Sequence, residues 1–149
     1  LTAKERIIIC DRYPDHTMFH RYLQDVPQSV HVTVVVTPPQ AGKKKDTQRF
    51  AEFFDVSSLY GTERRFDKYR LLALRPVDFH ARWLCADNQL FQLDGSLKDV
   101  EQRFSISPIN PFEQNFAKVQ DALNVGVEMF GPTCRQHTAK VLDQNGNIV

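Results

Sequence analysis

Cysteine, net charge and long apolar runs are all scarce in this chain, and each scarcity removes a class of protein. Three cysteines occur in 149 residues, Cys10, Cys85 and Cys134, far apart and two of them inside apolar strand patterns. An odd, dispersed set argues against a disulfide frame and for reduced thiols in a core. The formal net charge is +1, so no whole-protein field attracts nucleic acid or an acidic membrane. Any basic site must be local. No apolar run approaches the roughly 20 residues needed to cross a bilayer, and the N-terminus lacks a signal-peptide pattern. A cytoplasmic location is expected. Repeats and low-complexity segments are absent too. Leu1 in place of Met leads us to expect a module of a longer protein.

The length suits one domain with a real core. We expect that domain over residues 1–141, followed by a polar, frayed tail from 142 to 149. Arg6 to Cys10 is a continuous apolar run, the pattern of a strand buried on both faces. Asp15 is expected to cap a helix to about Val26, with Met18, Tyr22 and Leu23 as its buried stripe. His31 to Thr37 is β-branched and reads as a central strand, broken by Pro38-Pro39. Lys43, Lys44 and Lys45 then lie in a loop before a helix capped by Asp46, with Phe50, Phe53 and Phe54 on its apolar face. Ser57 to Lys68 reads as a loop carrying a second basic pair, Arg64 and Arg65, and Tyr69 to Leu74 as another strand. Later, Phe104 to Ser107 alternates as a short strand. Asn110-Pro111 suits the start of a helix to about Asn124 that Gly126 ends in the left-handed conformation, and Val127 to Phe130 adds a last strand. The order of elements predicts an α/β fold, a mixed β-sheet flanked by helices.

The stretch from Phe79 to Asp99 carries the chemistry. Phe79 to Cys85 alternates like a strand, Leu90 to Leu93 forms a second, and Ala86-Asp87-Asn88-Gln89 between them reads as a hairpin turn. Alternation puts His80 and Arg82 on one face, with Phe79, Ala81, Trp83 and Cys85 towards a core. Asp94-Gly95-Ser96 follows, and Leu97 to Phe104 reads as a short helix whose free N–H groups suit an anion. An imidazole, a guanidinium, a hydroxyl and a helix N-terminus would converge on one phosphate. At the end of the first strand, Asp11 and Arg12 are either near-site residues or a surface pair at a turn. His16 and His20, four apart, have no third ligand nearby, and Cys134 with His137 is only half of a zinc site. Neither a metal nor another cofactor is expected.

This arrangement resembles the phospholipase D superfamily. That signature is His-x-Lys, four residues, Asp, and then Gly-Ser-x-x-Asn. Here His80-x-Arg82 is followed by Asp87 and then by Gly95-Ser96-Leu97-Lys98-Asp99. Arg82 replaces Lys, Asp99 replaces Asn, and the gap before Gly95 is one residue longer. The chain is most similar to a single-motif bacterial branch reading His-Asp-Arg-Phe-Leu-Ile and then Gly-Ala-Ser-Leu-Lys-Asp, often with an early Asp-Arg-Tyr, as in Asp11-Arg12-Tyr13. The likeness covers most of residues 5–109.

The resemblance implies one half of a phospholipase D-like fold. It implies His80 as nucleophile, with Arg82 and Ser96 holding phosphoryl oxygens and Asp11, Arg12, Gly95, Lys98 and Asp99 lining the substrate site. One motif per chain implies a homodimer, with a second His80 as general acid. The two substitutions, and the similarity to the domain that follows MIT modules in membrane-remodelling proteins, favour binding of a phosphodiester over its cleavage. Lys43, Lys44, Lys45, Arg64 and Arg65 favour nucleic acid as the polyanion. The alternatives are an active metal-independent phosphodiesterase or nuclease, and a module for dimerisation or phospholipid recognition. Other domains of a longer bacterial defence or mobile-element protein are the remaining expected partners.

Overall fold

Continuous β-branched and aliphatic runs become the middle of the sheet, because such strands can be covered on both faces. The computed structural model describes residues 2–64, 67–97, 105–132 and 139–149. Three parallel strands, β1 (Arg6–Cys10), β2 (His31–Val36) and β3 (Tyr69–Ala73), lie side by side. The hairpin β4 (Arg82–Ala86) and β5 (Gln89–Leu93) joins β1 antiparallel, and β6 (Ile106–Pro108) follows β5. On the far side β7 (Val127–Phe130) pairs antiparallel with β3. The order is β6-β5-β4-β1-β2-β3-β7, a mixed sheet in an α/β fold.

Alternate residues of each central strand feed two cores. Ile7, Ile9, Val32, Val34 and Leu71 face one, and Ile8, Cys10, Val35 and Leu72 the other. Helix α1 (Lys44–Glu63) and a π-helical segment, Phe19–Leu23, cover the first face through Phe50, Phe53, Phe54, Phe19 and Leu23. Helix α2 (Phe112–Val125) covers the second through Val119 and Ala122. Both connections between parallel strands therefore run over one face. This aligns the carboxyl ends of β1, β2 and β3 at one end of the sheet.

The sequence stops α1 too early. Residues 57–63 are helical despite Ser57, Ser58, Gly61 and Thr62, which are weak helix formers. Each has a local or tertiary reason. The Ser57 hydroxyl is buried 2.6 Å from that of Tyr69, and those of Ser58 and Thr62 donate to the carbonyls four residues back. Gly61 lies flat under the Phe130 ring, where a Cβ would collide with ring carbons. Lys43 is the residue before α1, and Lys44 and Lys45 are its first helical residues rather than loop. Asp46 sits in the first turn but does not cap it.

Other expectations change for equally local reasons. Gly126 ends α2 in extended backbone (φ −66°), not left-handed; its closeness to β3 matters instead, since a Cβ would lie 3.2 Å from that of Leu72. Pro111 precedes α2 without any side-chain cap from Asn110. The C-terminal residues are not frayed. Val141 and Val149 exchange backbone hydrogen bonds around a turn at Asp143–Gly146, and Leu142 pairs with Pro39 and Ala41. The helix expected from Leu97 to Phe104 lies almost wholly outside the described residues, as do Phe104, Cys134 and His137.

Gly61→Ala should destabilise the fold by about 2 kcal/mol or more through overpacking, read as a lower urea midpoint. Adding Phe130→Leu to it should recover part of that loss in a double-mutant cycle. Independent, additive losses would show that the two residues do not share this contact.

Candidate functional site

The register of β1 and β4 sets the site. Cys10 lies opposite Trp83, so one step further places Asp11 beside Arg82. Arg82 in turn pairs with Leu93, the last residue of β5, and the chain beyond it returns Ser96 to the same spot. Asp11 is fully buried, and its amide N–H extends the β1–β2 pairing to the Val35 carbonyl at 3.0 Å. Its carboxylate takes donors from three directions. Oδ2 accepts the Ser96 hydroxyl and the Leu97 N–H, each at 2.8 Å, and Oδ1 accepts Arg82 Nε at 3.3 Å and the Tyr13 N–H at 3.4 Å.

The guanidinium and the hydroxyl expected to share an anion do share one, and the anion belongs to the protein. Arg82 reaches Asp11 through Nε and keeps 28% of its side chain exposed. His80 precedes β4 in non-strand backbone and is exposed, without a hydrogen bond or ion pair among the described residues. Phe79, Ala81, Trp83 and Cys85 do pack together in the second core. Next to His80, the Phe79 carbonyl accepts Arg12 Nη2 at 2.5 Å, and the Arg12 guanidinium lies 5.4 Å from the centre of the Phe79 ring. Gly95 is half-buried in the loop that presents Ser96, whereas Lys98 and Asp99 lie outside the described residues.

Asp87 lies at the opposite end of β4 from Arg82. It occupies the hairpin turn with φ 52°, a conformation that Asp tolerates. Its carboxylate accepts the N–H groups of Lys4 (2.9 Å), Glu5 (2.8 Å) and Arg6 (3.1 Å). These bonds, led by that from Lys4, hold its pKa below the ordinary value of 3.8. Asp87 ties the N-terminal segment to the hairpin.

The basic residues divide. Lys43, Lys44 and Lys45 are exposed at the start of α1. Arg64 is not available to a polyanion: it is 2% exposed, and its guanidinium donates to the carbonyls of Val26 (3.1 Å), Pro27 (2.7 Å) and Val30. Arg65 lies outside the described residues. Near the site, burial above all pushes the Cys10 thiol up to about 12, with Cys85 and Asp11 adding to the effect. Cys10 is therefore a neutral core group at ordinary pH. No group of three or more His, Cys, Asp or Glu suited to a metal occurs among the described residues, and no helix there is long and apolar enough to cross a membrane.

One feature escaped the sequence. A cavity of about 660 Å³ opens beyond the carboxyl ends of β1–β3, lined in part by Arg12, Thr37, Lys43, Arg49 and the C-terminal turn. No residue type signals it, since its walls come from segments far apart in the chain. No protein-family model matches this chain, and no curated protein does.

Removing the Asp11 carboxylate should strand three strong donors at once. Asp11→Ala is expected to cost about 2–4 kcal/mol in denaturant unfolding, and Ser96→Ala about 1 kcal/mol. A neutral Asp11→Ala would dissolve the cluster. Because the Asp87 pKa is lowered on folding, its stabilising contribution is complete well above 3.8 and is lost as pH falls below that value towards the folded pKa. Asp87→Asn should accordingly flatten the acid limb of a melting-temperature profile below about pH 4. An unchanged acid limb would count against this role.

Proposed function

We propose that this chain is a phosphodiester-binding module of the phospholipase D-like type, with nucleic acid as the favoured ligand, and that it binds without cleaving. One observation carries the reading. The Ser96 hydroxyl and the Leu97 N–H, which would otherwise hold a phosphoryl group, are both directed at buried Asp11. What remains for a ligand is the outer edge of Arg82, a planar fork suited to phosphate, with exposed His80 beside it in sequence. A nucleophilic imidazole needs a partner to orient it and set its tautomer, and His80 has none among the described residues. Exposed Lys43, Lys44 and Lys45 would steer a polyanion to this end of the sheet. A homodimer, a place in a larger bacterial defence-type protein and a cytoplasmic setting complete the proposal. The first two rest on the motif resemblance, and the last is supported by the free, buried thiols of Cys10 and Cys85.

Fluorescence anisotropy with a labelled single-stranded oligonucleotide tests this. Binding should weaken with salt, and Arg82→Ala should lower the affinity and reduce the salt slope by about one unit. His80→Ala, at an exposed position, should keep the fold and change binding little. Incubation in EDTA should leave the oligonucleotide intact. Cleavage that disappears in His80→Ala would establish the phosphodiesterase reading in its place, and preference for anionic vesicles over the oligonucleotide would establish the lipid one.

A further inference from the structure

The geometry points to a second site, in the cavity at the carboxyl ends of the parallel strands, for a small phosphorylated organic molecule of mononucleotide size. It does not depend on the Arg82 edge. Its volume of about 660 Å³ is far too large for a bare anion and falls within the usual range for small-molecule sites. Three cationic side chains line it: Arg12 after β1, Lys43 before α1, and Arg49 in the first turns of that helix.

The two carboxylates in the same wall already have partners. Asp46 pairs with Arg49 at 3.5 Å, and Asp143 Oδ1 accepts the N–H groups of Asn145 and Asn147, each at 2.9 Å. The 20-residue helix α1 starts at this cavity, which Lys43 and Asp46 line, and it has no side-chain cap on its first turn.

An independent sign comes from Thr37. It forms part of the wall, is only 4% exposed, and its hydroxyl is buried without a hydrogen-bond partner. Buried hydroxyls rarely go unpaired. As part of the cavity wall, Thr37 therefore has hydrogen-bonding capacity to spare for a bound oxygen. The remaining wall mixes Tyr13 (41% exposed), Pro14 and Pro76 with polar Gln40 and Gln144, which offers both apolar surface and hydrogen-bonding groups to the organic body of the ligand. The C-terminal hairpin closes the far side through Leu142 to Gly146. Dianionic phosphate fits a pair of cations and a free helix start better than a single carboxylate does.

Isothermal titration of the full chain with adenosine 5′-monophosphate, adenosine and inorganic phosphate tests the assignment. The monophosphate should bind saturably, phosphate more weakly, and adenosine weakest of all. Lys43→Ala, at an exposed position, should weaken the monophosphate about tenfold, and Thr37→Val about threefold or more. Thr37→Val should not lower the melting temperature of the free protein, because the hydroxyl it removes is unpaired. Arg82→Ala should leave monophosphate binding intact, which separates this site from the oligonucleotide one. No saturable binding up to about 5 mM, equal affinity in both cavity variants, or adenosine binding as tightly as its monophosphate would overturn the assignment.

Discussion

A single buried carboxylate organises one end of this molecule. Asp11 has no water to solvate it, so its charge is tolerable only because donors from β4, from the loop after β5 and from its own turn converge on it. That requirement ties Asp11 to two segments that lie 71 to 86 residues further along the chain. It also fixes how far each can move. The Ser96 loop cannot swing outward without leaving a bare charge, and Arg82 cannot turn fully to solvent without the same penalty.

The same interaction decides what the motif can do. A helix start or a loop rich in N–H groups is a ready anion site, but an anion already supplied in cis competes with any from outside. Displacing Asp11 would mean burying two negative groups together, which is unfavourable at short range. The proposed ligand would meet the partly exposed Arg82 side chain rather than the Ser96 hydroxyl and Leu97 N–H that Asp11 already occupies. The cavity over β1–β3 has the contrary character. Its two carboxylates are held by Arg49 and by the turn at Asp143, and Lys43 adds an exposed cation at the start of α1.

Much of the sheet was legible because strands buried on two faces leave a plain trace: Ile7 to Cys10 and Val32 to Val36 carry almost nothing but aliphatic and β-branched side chains. The hairpin was legible through Asp87 and Asn88. What could not be read depended on distant partners. Ser57 and Gly61 look like loop residues until Tyr69 and Phe130 are seen against them. Arg64 looks like half of a basic patch until three carbonyls of the Val26–Val30 segment are seen around its guanidinium. At the candidate site, the sequence suggested that Asp11, Arg82 and Ser96 lie near one another, but not that the first would accept from the other two. Residue types cannot tell a ligand-facing carboxylate from one that serves as the ligand. The cavity was invisible because the C-terminal residues that wall it read as a polar tail.

Because helical segments cover both faces of β1, β2 and β3, these central strands offer no open surface among the described residues on which a partner could lie flat. Recognition is confined to its margins, namely the strand tips and the two outermost strands. Changes along the middle of β1 or β2 will register as lost folding, whereas affinity can be retuned at the tips with little disturbance to the interior. The architecture thus separates the residues that make the protein stand up from those that let it meet anything else.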